Sequence, residues 1–243
     1  MNWLYNFYFR EGPGIPKDAP RPTGWRLLAT TFGREWWELL KLNLLFVAVA
    51  LPLVTLPAAY FAMTAVTVSM LEDRNVYLWR DFWTASRTRW RQSSLMGFGL
   101  IGAMMLAGFA VRAYALAAQG NLLFTGPLAI AVCALVLLPL FGMHVFTAMA
   151  LVPKTPLGAV MKAAAIGLLA RPLPGLMMCV PISLLWLAHI LFYPASAFLP
   201  VLINFSLGAL LTGFAVLKGV RFGLSHSQIR ASDPPGEPDV LSA

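Results

Sequence analysis

The sequence predicts an all-α, polytopic integral membrane protein, and three observations carry that prediction. Hydrophobic residues make up 59% of the 243 and charged residues only 12%, with a mean hydropathy of +0.72. A soluble domain carries roughly 25% charged residues, so this chain lacks the charge to coat a globule. Next, long uncharged stretches recur, Leu42 to Leu71 containing no charge at all; a helix crossing a bilayer needs ~20 apolar residues. Finally, every Lys and Arg except Arg112 falls in the N-terminal region, two connecting segments or the C-terminal stretch. The expected architecture is about six transmembrane helices, arranged as three hairpins joined by two cytoplasmic interfacial helices.

Residues 1–23 read as an aromatic, then Pro/Gly-rich anchor. Trp3, Tyr5, Phe7 and Phe9 alternate with other residues, and Gly12-Pro13-Gly14-Ile15-Pro16-Lys17 cannot sustain a helix. Met1 to Arg10 has no basic run before an apolar core, so no cleaved signal peptide is expected. Thr23 is the expected N-cap of the first helix. Residues 24–222 form a single helical transmembrane domain, and residues 223–243, with Pro234, Pro235 and Pro238, read as a disordered tail.

The first two spans are expected at Trp36–Leu51 and Leu56–Leu71, reversing between Pro52 and Pro57; one long kinked helix is the alternative. The third runs over Leu95–Ala118 and holds Arg112, which at about 1.5 Å per residue from Ser94 lies ~27 Å along, where it snorkels to the far interface. Gln119, Gly120 and Asn121 turn the chain into the fourth span, Pro127–Leu151. The fifth covers Gly175–Phe192 and the sixth Val201–Leu217. With the basic segments cytoplasmic, both termini lie inside. That accounts for the formal charge of +8 without a nucleic-acid partner. Gly97, Gly99, Gly102 and Gly108 permit close helix approach, within the chain or against a second copy, so oligomerisation stays open.

Glu72 to Ser93 is the most charged stretch, with Arg74, Arg80, Arg87, Arg89 and Arg91 against Glu72, Asp73 and Asp81. Trp79, Phe82, Trp83 and Trp90 recur at helical spacing and are expected on one face, with the arginines elsewhere. An amphipathic helix lying in the membrane interface has this pattern, as does one packed on a soluble core; the flanking apolar runs favour the interface. Val152 to Arg171 occupies the equivalent place between later spans, with Lys154, Lys162 and Arg171 and less aromatic weight.

Catalytic chemistry has little to work with. Apart from Glu38 near the start of the first, the expected spans contain no Asp or Glu, which argues against a carboxylate relay or a sodium site. His144 and His189 fall at different depths, a poor metal pair, and each reads first as a polar contact between helices. Asn43, Asn204 and Ser206 either bond between helices or line a polar pocket. Cys133 and Cys179 read as small core residues, neither disulfide nor zinc site. No catalytic residue, metal or cofactor is expected.

One combination of residues is more specific. Gly12-Pro13-Gly14-Ile15-Pro16-Lys17 follows an aromatic N-terminus. Trp37, Lys41-Leu42-Asn43-Leu44-Leu45, Leu51-Pro52 and Thr55-Leu56-Pro57-Ala58 come next, then Leu78-Trp79-Arg80-Asp81-Phe82-Trp83 and Trp90. Over about its first 95 residues the chain thereby resembles the YesL-like bacterial membrane proteins, a family of unknown function. The resemblance implies genes beside carbohydrate-uptake ABC transporters and an accessory role in sugar import; it brings no catalytic residues. The expectation is a non-catalytic inner-membrane accessory or regulatory protein that contacts the bilayer and a sugar ABC transporter or another membrane subunit. Its working face would be Trp79, Phe82, Trp83, Arg87 and Trp90. The alternative is a small transporter or channel with a polar path at Asn43, His144, His189 and Asn204. A membrane enzyme ranks below both.

Overall fold

Glycine and proline set the boundaries of the first hairpin. The computed structural model describes residues 22–227 and is helical, without a strand among them. The expected N-terminal anchor therefore lies outside the described residues, apart from its last two positions. Helix α1 spans Trp25–Ala50 and is preceded by Gly24, at φ +60°. That left-handed conformation suits glycine, and Gly24 rather than Thr23 occupies the N-cap. α1 ends ahead of Pro52, and a 3₁₀ turn at Leu53–Thr55 leads into α2, Leu56–Leu71. Pro57 sits in the first turn of α2, where its missing N–H removes no helical bond. The Thr55 hydroxyl donates back to the Val49 carbonyl, closing the turn. Near the other end Arg34 pairs with Asp73 and donates to the Met70 carbonyl at 3.3 Å. The chain therefore reverses between the two prolines as a hairpin, and is not one kinked helix.

α2 is the central element. Ala59, Phe61, Ala62, Met63, Val66, Val68 and Met70 along it are all almost wholly buried. α3, Leu78–Thr88, follows a short loop; Arg89 then leaves helical geometry at φ −125°, ψ 23°, and α4 runs from Trp90 to Gly120. Gly97 of α4 lies against Pro57, where a side chain would collide with the proline ring. Between residues 78 and 97 the chain thus travels back from the last turn of α2 to its first. The second half repeats the scheme: α5, Thr125–Leu151, precedes a short α6, Leu157–Ala170. Arg171 bends the backbone, and α7 follows directly over Pro172–Leu191.

A wide π turn at Pro200–Asn204 opens α8, Phe205–His226. Gly223 and Leu224 are buried, so the first residues assigned to a tail belong to this helix. α6 packs on α8 nearly backbone to backbone. A side chain at Gly167 would strike the Gly219 carbonyl, and one at Gly223 the Ala163 carbonyl. Ala163/Gly167 and Gly219/Gly223 thus form facing pairs of small residues four apart. The second connecting segment is accordingly embedded along α8.

Five helical stretches are long and apolar enough to cross a membrane: residues 53–71, 90–120, 122–151, 172–191 and 200–226. α1 is not among them, because Arg26, Arg34, Glu35, Glu38 and Lys41 load its first two thirds. The expected six therefore becomes five by this measure. α4 and α7 are mostly exposed, and Gly99, Gly102 and Gly108 face open space. Of the glycines in that stripe only Gly97 serves a close approach. Cys133 is exposed and Cys179 half-buried, both free, so neither is a core residue.

Candidate functional site: a cleft behind the amphipathic helix

α3 opens with an acid in its first turn and closes with a cation in its last, both favourable to the helix dipole. Asp81 reaches back to accept the Tyr77 N–H at 2.8 Å and pairs with Arg80. The periodicity then divides the aromatic residues. Phe82 is fully buried, whereas Trp79 is 65% exposed and Trp90, beyond the bend at Arg89, is 54% exposed. The four large residues expected on one face are therefore split, with Phe82 turned into the core. Trp79 and Trp83 remain together, ring edge to ring face at 6.0 Å. The arginines do not sit apart from this outer face. Arg80 lies over Tyr77, Arg87 over Trp83 and Arg91 over Trp90, with guanidinium-to-ring distances of 4.3, 5.4 and 5.4 Å. These cation–π contacts make one composite aromatic and cationic surface.

Arg89 behaves unlike its neighbours. It is 4% exposed, and its Nη1 donates to the carbonyls of Met149 and Val152 at 3.3 and 3.0 Å. Its Nη2 reaches the Thr155 carbonyl at 2.7 Å, and its Nε reaches Gln92 Oε1 at 2.7 Å. The last carbonyls of a helix lack intrahelical donors, and a guanidinium fork suits several at once. Arg89 is therefore the C-terminal cap of α5, clamping the α3–α4 bend to the α5–α6 loop. Burial draws its pKa below the ordinary arginine value; the carbonyl dipoles compensate its charge. The sequence signal was present: Phe82, Ser86 and Arg89 follow i, i+4, i+7 and share the buried face.

Between α2, α3 and the end of α5 lies a cleft of about 420 Å³. Phe61, Ala65, Val66, Met149 and Ala150 form its apolar part; Ser69, Asp81, Thr84, Thr88, Arg89 and Lys154 form the polar part. A larger depression of about 650 Å³ runs along α7 from Cys179 to Ile190 and has no charged residue in its lining. The charged end of the bundle lies beside the polar part of the cleft, where Glu72 pairs with Arg74 and, at 2.6 Å, with Arg221.

Of the residues of the expected polar path, Asn43 and Asn204 meet at the π turn, while His144 and His189 bond elsewhere. The Asn43 amide donates to the Pro200 and Val201 carbonyls at 2.8 and 2.6 Å and accepts the Ser206 N–H at 2.9 Å. Asn204 lies in the same π turn, buried, with neither side-chain polar atom hydrogen-bonded among the described residues. His144 is fully buried between Gly175 and Gly219 and bonds the Leu140 carbonyl at 2.8 Å. His189 bonds Ser196 in the turn after α7, at 3.0 Å to its carbonyl. Among the described residues, no three His, Cys, Asp or Glu are grouped for a metal ion.

Comparison with known proteins places part of this chain beside a known family. A family described as "Protein of unknown function, DUF624" matches residues 39–110. The matched stretch takes in Asn43, all of α2 and α3, and Arg89. No curated protein and no solved structure matches the chain.

Proposed function

We propose that this protein is a non-catalytic accessory or regulatory component of a bacterial inner membrane, acting beside a carbohydrate ABC-type uptake system through the outer face of α3. The carrying observation is the surface of exposed Trp79, Arg87, Trp90 and Arg91 around half-buried Trp83, large aromatic rings backed by cations on either side of a bend anchored from behind by Phe82 and Arg89. Trp and Arg are the residues that most often dominate binding energy at protein interfaces. The carbohydrate context rests on the resemblance to YesL-like proteins in residues that largely coincide with the matched stretch. Asn43 supports the same reading, because its amide is engaged in holding α1 to the turn before α8.

Replacing Trp79, Trp83 and Trp90 together by alanine tests the proposal. Affinity purification in mild detergent should lose the co-purifying membrane partner while the triple variant still inserts and melts cooperatively. Retention of the partner at wild-type levels would reduce α3 to a membrane anchor.

A further inference from the structure

The cleft behind α3 grades from apolar to charged along one direction. On α2 its lining steps from Phe61 through Ala65 to Ser69, the last beside the charged end of the bundle. Across from these, Lys154 is exposed and makes no hydrogen bond or ion pair among the described residues. Arg89 supplies a second positive charge, and its carbonyl clamp engages only one of the two Nη2 hydrogens. Asp81 is the single acid in the lining, and Arg80 and the Tyr77 N–H already occupy it. The Ser69 and Thr88 hydroxyls donate to carbonyls of their own helices, which leaves two cations and the Thr84 hydroxyl above an apolar floor to complement an anionic headgroup joined to a hydrocarbon chain. The volume falls within the range of small-molecule sites.

We infer that this cleft is a binding site for one phospholipid, its phosphate held at Lys154 and Arg89 and an acyl chain laid over Phe61, Ala65, Val66, Met149 and Ala150. The bound lipid fills the space between α2, α3 and α5 and props α3 from behind. This site faces away from Trp79 and Trp90, so its failure would leave the partner-binding proposal standing.

The test uses the full chain in detergent, delipidated and then given phosphatidylglycerol, glycerol phosphate or diacylglycerol, with melting temperature and native mass spectrometry as readouts. One phospholipid per chain should persist in the mass spectrum, and only phosphatidylglycerol should raise the melting temperature. Lys154→Glu should weaken retention roughly tenfold, the scale of losing one cation–phosphate contact. Lys162→Glu, the same charge reversal on the exposed side of α6, should retain wild-type binding. Ala65→Phe, which occupies the floor, should abolish retention in a chain that still melts cooperatively. Equal loss from the Lys162 and Lys154 variants would mark nonspecific surface lipid and overturn the proposal. Equal protection by glycerol phosphate alone would reduce the cleft to an anion site and overturn it as well.

Discussion

Asn43 bonds two carbonyls of the π turn at Pro200–Asn204 and the Ser206 N–H at the start of α8, where the wide turn shifts backbone groups out of the ordinary helical register. Asn43→Leu would leave those groups short of partners in an apolar setting, at about 1–3 kcal/mol for each orphaned group. Thermal melts in detergent should show the loss, and Asn43→Asp should not restore it, because a buried carboxylate would face the two carbonyls that the amide N–H groups serve. Arg89 makes a parallel case. Arg89→Lys cannot reproduce the fork onto three carbonyls, and Arg89→Met removes it, so stability should fall in the order Arg, Lys, Met, with about 3 kcal/mol between the extremes. Arg112 is exposed on α4, so both Arg112→Lys and Arg112→Leu should leave the melting temperature close to wild type. Sequence alone marks Asn43, because an amide in an uncharged run needs partners; those partners lie 157 and more residues away and have no local signature. Arg89 looked like four other arginines because composition weighs charge and ignores the side a residue faces.

At the scale of elements, the seam between α6 and α8 depends on glycine twice over. Gly167 and Gly223 each meet a carbonyl of the opposite helix, so Gly223→Val must push the helices apart, at about 1–3 kcal/mol for overpacking. Gly99→Val and Gly102→Val meet nothing and should melt like wild type. The glycine stripe on α4 stood out in the sequence, while the working pairs passed unnoticed. A small residue permits close approach, but a facing small residue is needed to use it, and Gly219/Gly223 lies more than 50 residues beyond Ala163/Gly167. The hairpin at Pro52 and Pro57 was readable because proline acts on its own backbone, without help from a distant partner.

For the whole molecule, the structure gathers Arg34, Glu72, Asp73, Arg74 and Arg221 at one end. If that end faces the cytoplasm, reporters active only outside the cell should light up near Leu53, Asn121 and Ser196 and stay dark at Asn75, Lys154 and Ser227. Activity at Leu53 would show that α1 crosses despite its charges; darkness there, with activity at Asn121, would confine α1 to the near side. Helical content and hairpin order were legible because a bilayer makes length and hydropathy nearly sufficient. The span count was less so. α1 combines a charged half with an apolar one, and its position depends on the Arg34–Asp73 and Asn43 contacts, which composition does not register.

The α6–α8 seam also imposes a schedule on synthesis. α6 has 14 residues, rising about 21 Å, less than the ~30 Å hydrocarbon layer, and it carries Lys162. All of α7 and the following turn emerge before Gly219 and Gly223 exist to receive it. Until then α6 has α5 to pack on but lacks its closest seam, and the expectation is that it waits at the membrane surface. The final turns of α8 act as the latch that draws it in. A nascent chain arrested before Gly219 should expose α6 to protease from the charged side, and one extended past Ser227 should protect it.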